Sequence, residues 1–164
     1  MNGSEPRRVR IELHSGGANG NGVAEYRGML YPKPGGCYIR YEENDEGRGR
    51  CSVTFKRDES GLTLLRHGEV QAEQSFRPGQ RTAGWYASPA GRLRLEMDTF
   101  ALVSKERAAD GLADGPEQGD EDGKGNDAAD GLELSIEWQY DLWVNDEKTD
   151  RFDLRLMIWE DNES

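Results

Sequence analysis

Four side chains could together hold a small ligand: Arg66, Tyr86, Trp138 and Tyr140. Arginine presents a planar, permanently charged fork that fits a carboxylate or a phosphate. The three aromatic side chains could supply the apolar walls that are typical of small-molecule sites. The alternative is that they fill the core, with each tyrosine hydroxyl hydrogen-bonded to a neighbour. The strands that carry these residues decide between the two interpretations.

The orientation of Arg66 depends on the turn that follows it. The histidine and glycine after it fit a two-residue hairpin loop of type I′. Such a loop would pair Arg66 with Glu69 and turn the arginine toward solvent. A three-residue loop would pair it with Val70 and turn it into the protein, because a one-residue slip exchanges the faces of a strand. Turn chemistry favours the outward orientation. An inward Arg66 would need a carboxylate of the protein, or a ligand carboxylate or phosphate, to pair with its charge.

No other motif predicts a catalytic or metal site. His14 and His67 are the two histidines, and they do not have the spacing of metal ligands. The stretch DEDGKGNDAADG is similar to a calcium loop, but Lys124 stands at a ligand position and Gly131 stands where a bidentate glutamate is needed. We therefore expect no metal, no cofactor and no enzymatic activity.

Alternating hydrophobicity predicts the strands that position these residues. From Leu132 to Leu142 every second residue is apolar or aromatic, which is typical of a half-buried strand. Trp138 and Tyr140 lie on its apolar face. The same alternation covers residues 8–13, 92–98 and 151–159. Less regular strands at about 23–32, 36–42, 50–57, 61–66, 69–77 and 81–88 are separated by Gly, Pro, Asn and Asp clusters.

About ten antiparallel strands joined by short hairpins predict an all-β protein. A sheet of that length tends to close, which removes its exposed edges, so we expect a closed or nearly closed up-and-down barrel. A sandwich is the alternative closure. The prediction is a single domain over residues 1–164, with a flexible, acidic, glycine-rich insertion at about 104–130 whose composition cannot support a core.

Charge and cysteine usage limit the partners and the compartment. The formal net charge is -11, and an acidic balance argues against binding nucleic acid or an anionic membrane surface. No apolar run of a signal peptide follows the N-terminus, and no stretch approaches the roughly 20 apolar residues that span a bilayer. Cys37 and Cys51 lie too far apart along a predicted hairpin to form a disulfide. We therefore expect a reduced, cytoplasmic protein.

Several segments together resemble the YwiB-like family of small bacterial proteins: VAEYRGMLY, YIRYEE, LLRHGEVQAEQSFRPGQRTAGWYASPAGRLRLEMDT and LSIEWQYDL. The matching residues at the turns and strand ends are Arg66, Gly68, Phe76, Gly79, Tyr86, Gly91 and Thr99. The resemblance covers most of residues 8–159, and the chain departs from it at 104–130. It implies a calycin-like barrel similar to lipocalins. The family has no known function, so the resemblance implies nothing about chemistry.

Two function hypotheses follow from this fold. In the first, the barrel binds a small apolar or anionic ligand inside, with Arg66, Tyr86, Trp138 and Tyr140 at its wall, and needs a cavity of roughly a few hundred Å³. In the second, bulky side chains fill the barrel, and its acidic surface or a strand edge binds a basic protein partner. The free volume inside the barrel distinguishes them.

Overall fold

A computed structural model of the chain describes residues 5–17, 20–46, 49–108, 111–112 and 131–161. These residues form strands and turns without any helix, so none of them belongs to a helix that could cross a membrane. In chain order the strands are β1 (Arg7–Gly17), β2 (Gly20–Lys33), β3 (Gly36–Asp45), β4 (Gly49–Asp58), β5 (Gly61–Gly68), β6 (Gln71–Phe76), β7 (Arg81–Ser88), β8 (Gly91–Ala108), β9 (Gly111–Leu112), β10 (Leu132–Val144) and β11 (Glu147–Glu160).

Ten of these strands form a closed antiparallel barrel. Strands β1 to β8 each pair with the next along the chain, and β11 pairs with β1. Strand β10 lies between β11 and β8 and closes the ring through ladders with both. The short β9 pairs with the end of β8, outside the ring. The predicted all-β up-and-down barrel is confirmed, and the sandwich alternative is excluded.

Strand β8 is longer than the sequence predicted. It continues to Ala108, so the predicted insertion at 104–130 is wrong over its first five residues. The reason is that β10 begins at Leu132 and its first residues need a partner for their backbone hydrogen bonds. Residues 104–106 supply that partner, with Ser104 opposite Ile136. Residues 109–110 and 113–130 of the predicted insertion lie outside the described residues.

A connected chain of aromatic rings crosses the barrel interior, and we call it the aromatic chain. Neighbouring ring centroids are 4.2 to 6.4 Å apart, which is contact distance for stacked or tilted rings. Aliphatic side chains such as Ile11, Ile136 and Leu156, all fully buried, complete the core. The centre of the barrel is therefore filled by side chains. The members of the aromatic chain, in order of contact, are Tyr26, Tyr41, Phe55, Trp138, Phe76, Tyr140 and Phe152.

The two ends of the barrel differ in how well their inner faces are covered. End A carries the connections β1–β2, β3–β4, β5–β6, β7–β8 and β10–β11, and end B carries the others. Inward-facing side chains toward end B, such as Val9 and Leu134, are buried. Toward end A, inward-facing side chains such as Leu13, Tyr86 and Leu154 remain half-buried. End A is therefore the incompletely covered end.

Candidate functional site

Arg66 points into the barrel, and the outward orientation that turn chemistry favoured is wrong. The β5–β6 ladder pairs Arg66 with Ala72, so residues 67–71 connect the two instead of a two-residue loop. The three-residue alternative was also too short, although it gave the observed face. Arg66 lies in phase with Leu62 and Leu64, which are both buried.

Gly68 continues β5 instead of forming a tight turn. It remains in the ladder with β4, opposite Cys51, where a Cβ atom would overlap the carbonyl oxygen of Arg50. The backbone N–H of Glu69 donates to that same carbonyl oxygen at 3.2 Å. Val70 then buries its side chain within the connection. These contacts with β4 carry the chain past Arg66 before it turns.

Glu43 pairs with Arg66 inside the barrel. The Nε of Arg66 donates to Oε1 of Glu43 at 3.0 Å, and Nη2 donates to Oε2 at 3.3 Å. The side chain of Glu43 is 3 % exposed and that of Arg66 is 12 % exposed. Strands β3 and β5 both end at end A, two residues beyond these side chains. The protein carboxylate that an inward Arg66 required is therefore Glu43.

Tyr140, on β10, lies near the ion pair of Glu43 and Arg66. Burial raises the pKa of its hydroxyl to about 12, and a hydrogen bond from Gln74 and the positive charge of Arg66 act in the opposite direction. The hydroxyl is therefore neutral at physiological pH and can donate a hydrogen bond. We call Glu43, Arg66, Gln74 and Tyr140 the polar floor of end A.

Apolar side chains that are half-buried, or exposed in the case of Leu93, surround the polar floor, and we call them the apolar rim. All of them pack against the core cluster or extend its inward-facing rows at end A. An apolar ring around a charged and hydrogen-bonding centre suits a molecule that has one polar head and one apolar portion. The members of the apolar rim are Leu13, Tyr26, Tyr86, Leu93, Leu142, Val144, Phe152 and Leu154.

Three of the four predicted site residues meet at end A. Arg66 and Tyr140 belong to the polar floor, and Tyr86, which pairs with Ala72, belongs to the apolar rim. Trp138 lies deeper, 1 % exposed, in the middle of the aromatic chain. Its position is that of a core residue, and a contact between Trp138 and a ligand stays a prediction.

Sequence reasoning missed Glu43 and Gln74. Glu43 is the first residue of the polar stretch ENDEGRG, and the sequence predicts a turn for that stretch. The signal that could have identified it is the continued alternation of Cys37, Ile39 and Tyr41, which places the next odd-numbered residue on the inner face. Gln74 lies on β6 midway between Ala72 and Phe76, which face inward, so the two-residue period of a strand places Gln74 on the inner face as well.

Two grooves lie on the outer surface, away from the polar floor. One has a volume of about 340 Å³ and lies across β1, β2, β10 and β11 around His14, Glu137 and Arg155. The other, about 520 Å³, lies at end B beside Pro34 and Glu59. Within the described ranges, no group of three or more His, Cys, Asp or Glu side chains is arranged to hold a metal ion.

Both cysteines are buried and neither belongs to a disulfide, as the sequence predicted. Burial raises the pKa of the Cys37 thiol, and the nearby guanidinium of Arg57 offsets this effect only in part. A thiol with a raised pKa is a poor nucleophile at neutral pH, because the thiolate is the reactive form.

Comparisons with known proteins agree with this fold. A family model described as "Domain of unknown function (DUF1934)" matches residues 9–113. The solved structure of the ywiB protein from Bacillus subtilis has a TM-score of 0.64 and 20 % sequence identity, over 95 % of this chain and 92 % of that chain. At that identity the likeness shows the fold alone. No curated protein matches the chain. The chain therefore belongs to the DUF1934 family, the YwiB-like barrel proteins whose function is unknown.

Proposed function

We propose that this protein is a non-enzymatic barrel that binds a small amphipathic molecule at end A. One observation carries the proposal: an inward-facing arginine lies amid the apolar rim and keeps part of its guanidinium uncommitted. Both hydrogen bonds that Arg66 makes within the described part of the chain go to Glu43. The Nη1 donors are therefore available to a ligand head group.

The apolar portion of the ligand would lie against the rim and not along the barrel axis, because the aromatic chain occupies the centre. Leu93 is 38 % exposed and Tyr86 is half-buried, so covering them removes apolar surface from water. Burial of about 200 Å² would contribute about 5 kcal/mol before the cost of immobilising the ligand is subtracted. Such a site favours a modest affinity.

The proposal includes a cytoplasmic location and a small-molecule partner. Two buried free thiols suit a reducing compartment, where disulfides are rare. The net charge of -11 disfavours nucleic acid as the partner.

Native mass spectrometry of the protein purified from its own host tests the proposal. We expect a discrete extra mass that disappears when the same sample is denatured. A Glu43→Gln/Arg66→Met double variant removes both charges of this ion pair, and we expect it to lose the mass. Arg50→Ala is the matched control, because Arg50 is an exposed arginine at end A, and it should retain the mass.

A wild-type protein without any extra mass at several concentrations would contradict the proposal and favour a second candidate. In that candidate the filled barrel works as a protein-interaction module through its acidic surface. The aromatic chain that fills the barrel centre supports it. Its test is association with a basic protein that weakens steeply as ionic strength rises and that the double variant leaves unchanged.

A further inference from the structure

The guanidinium of Arg66 presents two edges, and Glu43 uses one of them. Nε and Nη2 form the occupied edge, which meets both carboxylate oxygens of Glu43. An arginine side chain has five N–H donors in a fixed plane. The second edge consists of the Nη1 donors and the remaining donor of Nη2. The side chain is 12 % exposed, and Nη1 is not one of the fully buried polar atoms that lack a partner, so this edge lies within reach of a molecule in the mouth of end A.

Tyr140 supplies a further donor beside that edge. The Tyr140 ring packs against Phe76, whose strand β6 also carries Ala72 opposite Arg66. Burial raises the pKa of the Tyr140 hydroxyl, so the hydroxyl keeps its proton at neutral pH and can donate it. The second edge of Arg66 presents donors alone, the Tyr140 hydroxyl can supply one more, and such a group of donors suits an anion.

We propose that the second edge of Arg66 and the Tyr140 hydroxyl form a seat for the carboxylate of an amphipathic acid, and that Glu43 is a positioning residue that also limits the affinity. This inference rests on the proposed function. Glu43 fixes the plane of the guanidinium through its bidentate contact, so the second edge is held in one orientation. A held donor pair loses less conformational freedom when the ligand binds.

The charge of the floor favours a carboxylate over a phosphate monoester. Arg66 is the cation of the polar floor, and Glu43 already balances its charge. A second negative charge on the ligand would increase the attraction to Arg66 and the repulsion from Glu43 alike, but removing that second charge of a phosphate monoester from water costs more at a floor without net charge. The apolar rim favours an acid with a hydrocarbon or aromatic portion.

The same repulsion assigns Glu43 its second role. Glutamine at position 43 keeps an oxygen that can accept from Nε of Arg66, but it removes the negative charge. We therefore expect Glu43→Gln to bind a carboxylate more tightly than the wild type does. The gain should be on the order of tenfold, which corresponds to one close charge interaction in a partly exposed site.

Isothermal titration calorimetry with laurate and dodecyl phosphate below their micellar concentrations, and with dodecanol below its solubility limit, tests the inference on the full chain. In the wild type we expect laurate to bind more tightly than the other two. Glu43→Gln should bind laurate more tightly than the wild type does. It should also reduce the difference in affinity between laurate and dodecyl phosphate. Tyr140→Phe should weaken laurate and leave dodecanol unchanged, and Arg50→Ala should change none of the three.

The outcomes separate this inference from the proposed function. If laurate and dodecanol bind equally to the wild type, the carboxylate seat is refuted while the amphipathic site stands. If dodecyl phosphate binds more tightly than laurate, the ligand class is wrong. If Glu43→Gln binds laurate no more tightly than the wild type does, the role of Glu43 is wrong. If none of the three probes binds to the wild type or to the Glu43→Gln variant, the proposed function itself fails.

Discussion

The charges of Arg66 and Glu43 depend on each other, because both side chains are largely removed from water. Removing one partner of a buried pair leaves an uncompensated charge, which typically costs about 3–5 kcal/mol. We therefore expect Arg66→Met to lower the free energy of unfolding by about 3 kcal/mol or more. The Glu43→Gln/Arg66→Met double variant should recover most of that loss, since it also removes the Glu43 charge that Arg66 balances. Urea unfolding of both variants and of Glu43→Gln completes the double-mutant cycle.

Arg50→Ala provides the control for this cycle, because an exposed arginine should change the free energy of unfolding by less than about 0.5 kcal/mol. A loss in the double variant that equals the sum of the losses in Arg66→Met and Glu43→Gln would show that the two side chains are not coupled. The ion pair would then not hold Arg66 in its inward orientation.

Tyr140 makes stability dependent on alkaline pH. In the unfolded chain its hydroxyl loses the proton near its ordinary pKa of 10.0, whereas in the folded protein the pKa is about 12. Its contribution is therefore fully present below about pH 10 and is lost as the pH rises toward about 12. Two units correspond to about 2–3 kcal/mol. Urea unfolding across this range should show a smaller decline for Tyr140→Phe than for the wild type.

The half-buried Tyr31 lies on β2, away from the polar floor, so Tyr31→Phe is the matched control and should decline as the wild type does. If the free energy of unfolding of Tyr140→Phe falls with pH as much as that of the wild type does, burial of the Tyr140 hydroxyl is not the cause of the fall.

At the residue scale, the sequence predicted the face of a side chain correctly where a long alternation determined that face. The prediction failed where a tertiary contact determined it. The eleven-residue alternation from Leu132 to Leu142 placed Tyr140 correctly. The face of Arg66 depended on Gly68, whose ladder partner on β4 outweighs local turn preference. Tertiary contacts of this kind leave no local signal in a sequence.

At the scale of the elements, β6 and β7 approach each other closely at Gly84. Their ladder has three partner pairs, from Gln71 to Glu73 on β6. A Cβ atom on Gly84 would overlap the carbonyl oxygen of Glu73 and would lie 3.1 Å from Cε of Met97. Backbone cannot give way as a flexible side chain can, so we expect Gly84→Ala to cost about 1–3 kcal/mol. Thermal and urea unfolding measure the loss.

Gly22→Ala is the matched control within another strand. The nearest atom to its new Cβ would be Oγ of Ser15 at 3.5 Å, which is ordinary contact. This variant should lie within about 0.5 kcal/mol of the wild type. If both alanine variants are equally stable, the close approach of β6 and β7 at Gly84 is not required.

The β10–β11 turn is fixed by Asn145. Asn145 and Asp146 both have positive φ values, 49° and 73°, as a type I′ hairpin turn requires. The Oδ1 of Asn145 accepts from the backbone N–H of Arg94 at 2.9 Å, and its own N–H donates to the Arg94 carbonyl at 2.8 Å. Asn145→Ala loses the side-chain bond and tolerates this φ poorly, so we expect a loss of about 1–2 kcal/mol in urea unfolding.

Glu147→Ala, at the exposed start of β11, is the control for the turn and should change little. An Asn145→Ala protein as stable as the control would mean that the turn does not depend on the bond to Arg94.

Strand existence was predictable, and strand ends were not. Alternation and turn residues identified the ten strands of the ring because each strand has one apolar face. The extension of β8 to Ala108 was not predictable from its own composition, since the strand is required by the start of β10. Whether residues 104–106 of β8 form a strand depends on the neighbouring strand β10 and not on their own sequence.

At the scale of the whole molecule, sequential hairpins made an up-and-down barrel the expected closure, and the β8–β10 ladder provides it. The difference between the two ends could not be predicted, because it depends on which inward-facing side chains neighbouring strands cover. End B has a well-buried inner face, whereas end A combines the polar floor with the apolar rim. A ligand that binds at end A should therefore stabilise one half of the molecule more than the other.

Amide hydrogen exchange with and without laurate measures that asymmetry. Binding to the folded state reduces local opening only where the opening disrupts the bound site. We expect slower exchange in the end A connections near residues 66–72, 86–93 and 142–150, and unchanged exchange in the end B turns near residues 33–36 and 58–61. The Glu43→Gln/Arg66→Met variant should lose most of the protection. Protection that appears equally at both ends, or at end B alone, would place the ligand elsewhere, because a molecule seated on the polar floor contacts no end B turn.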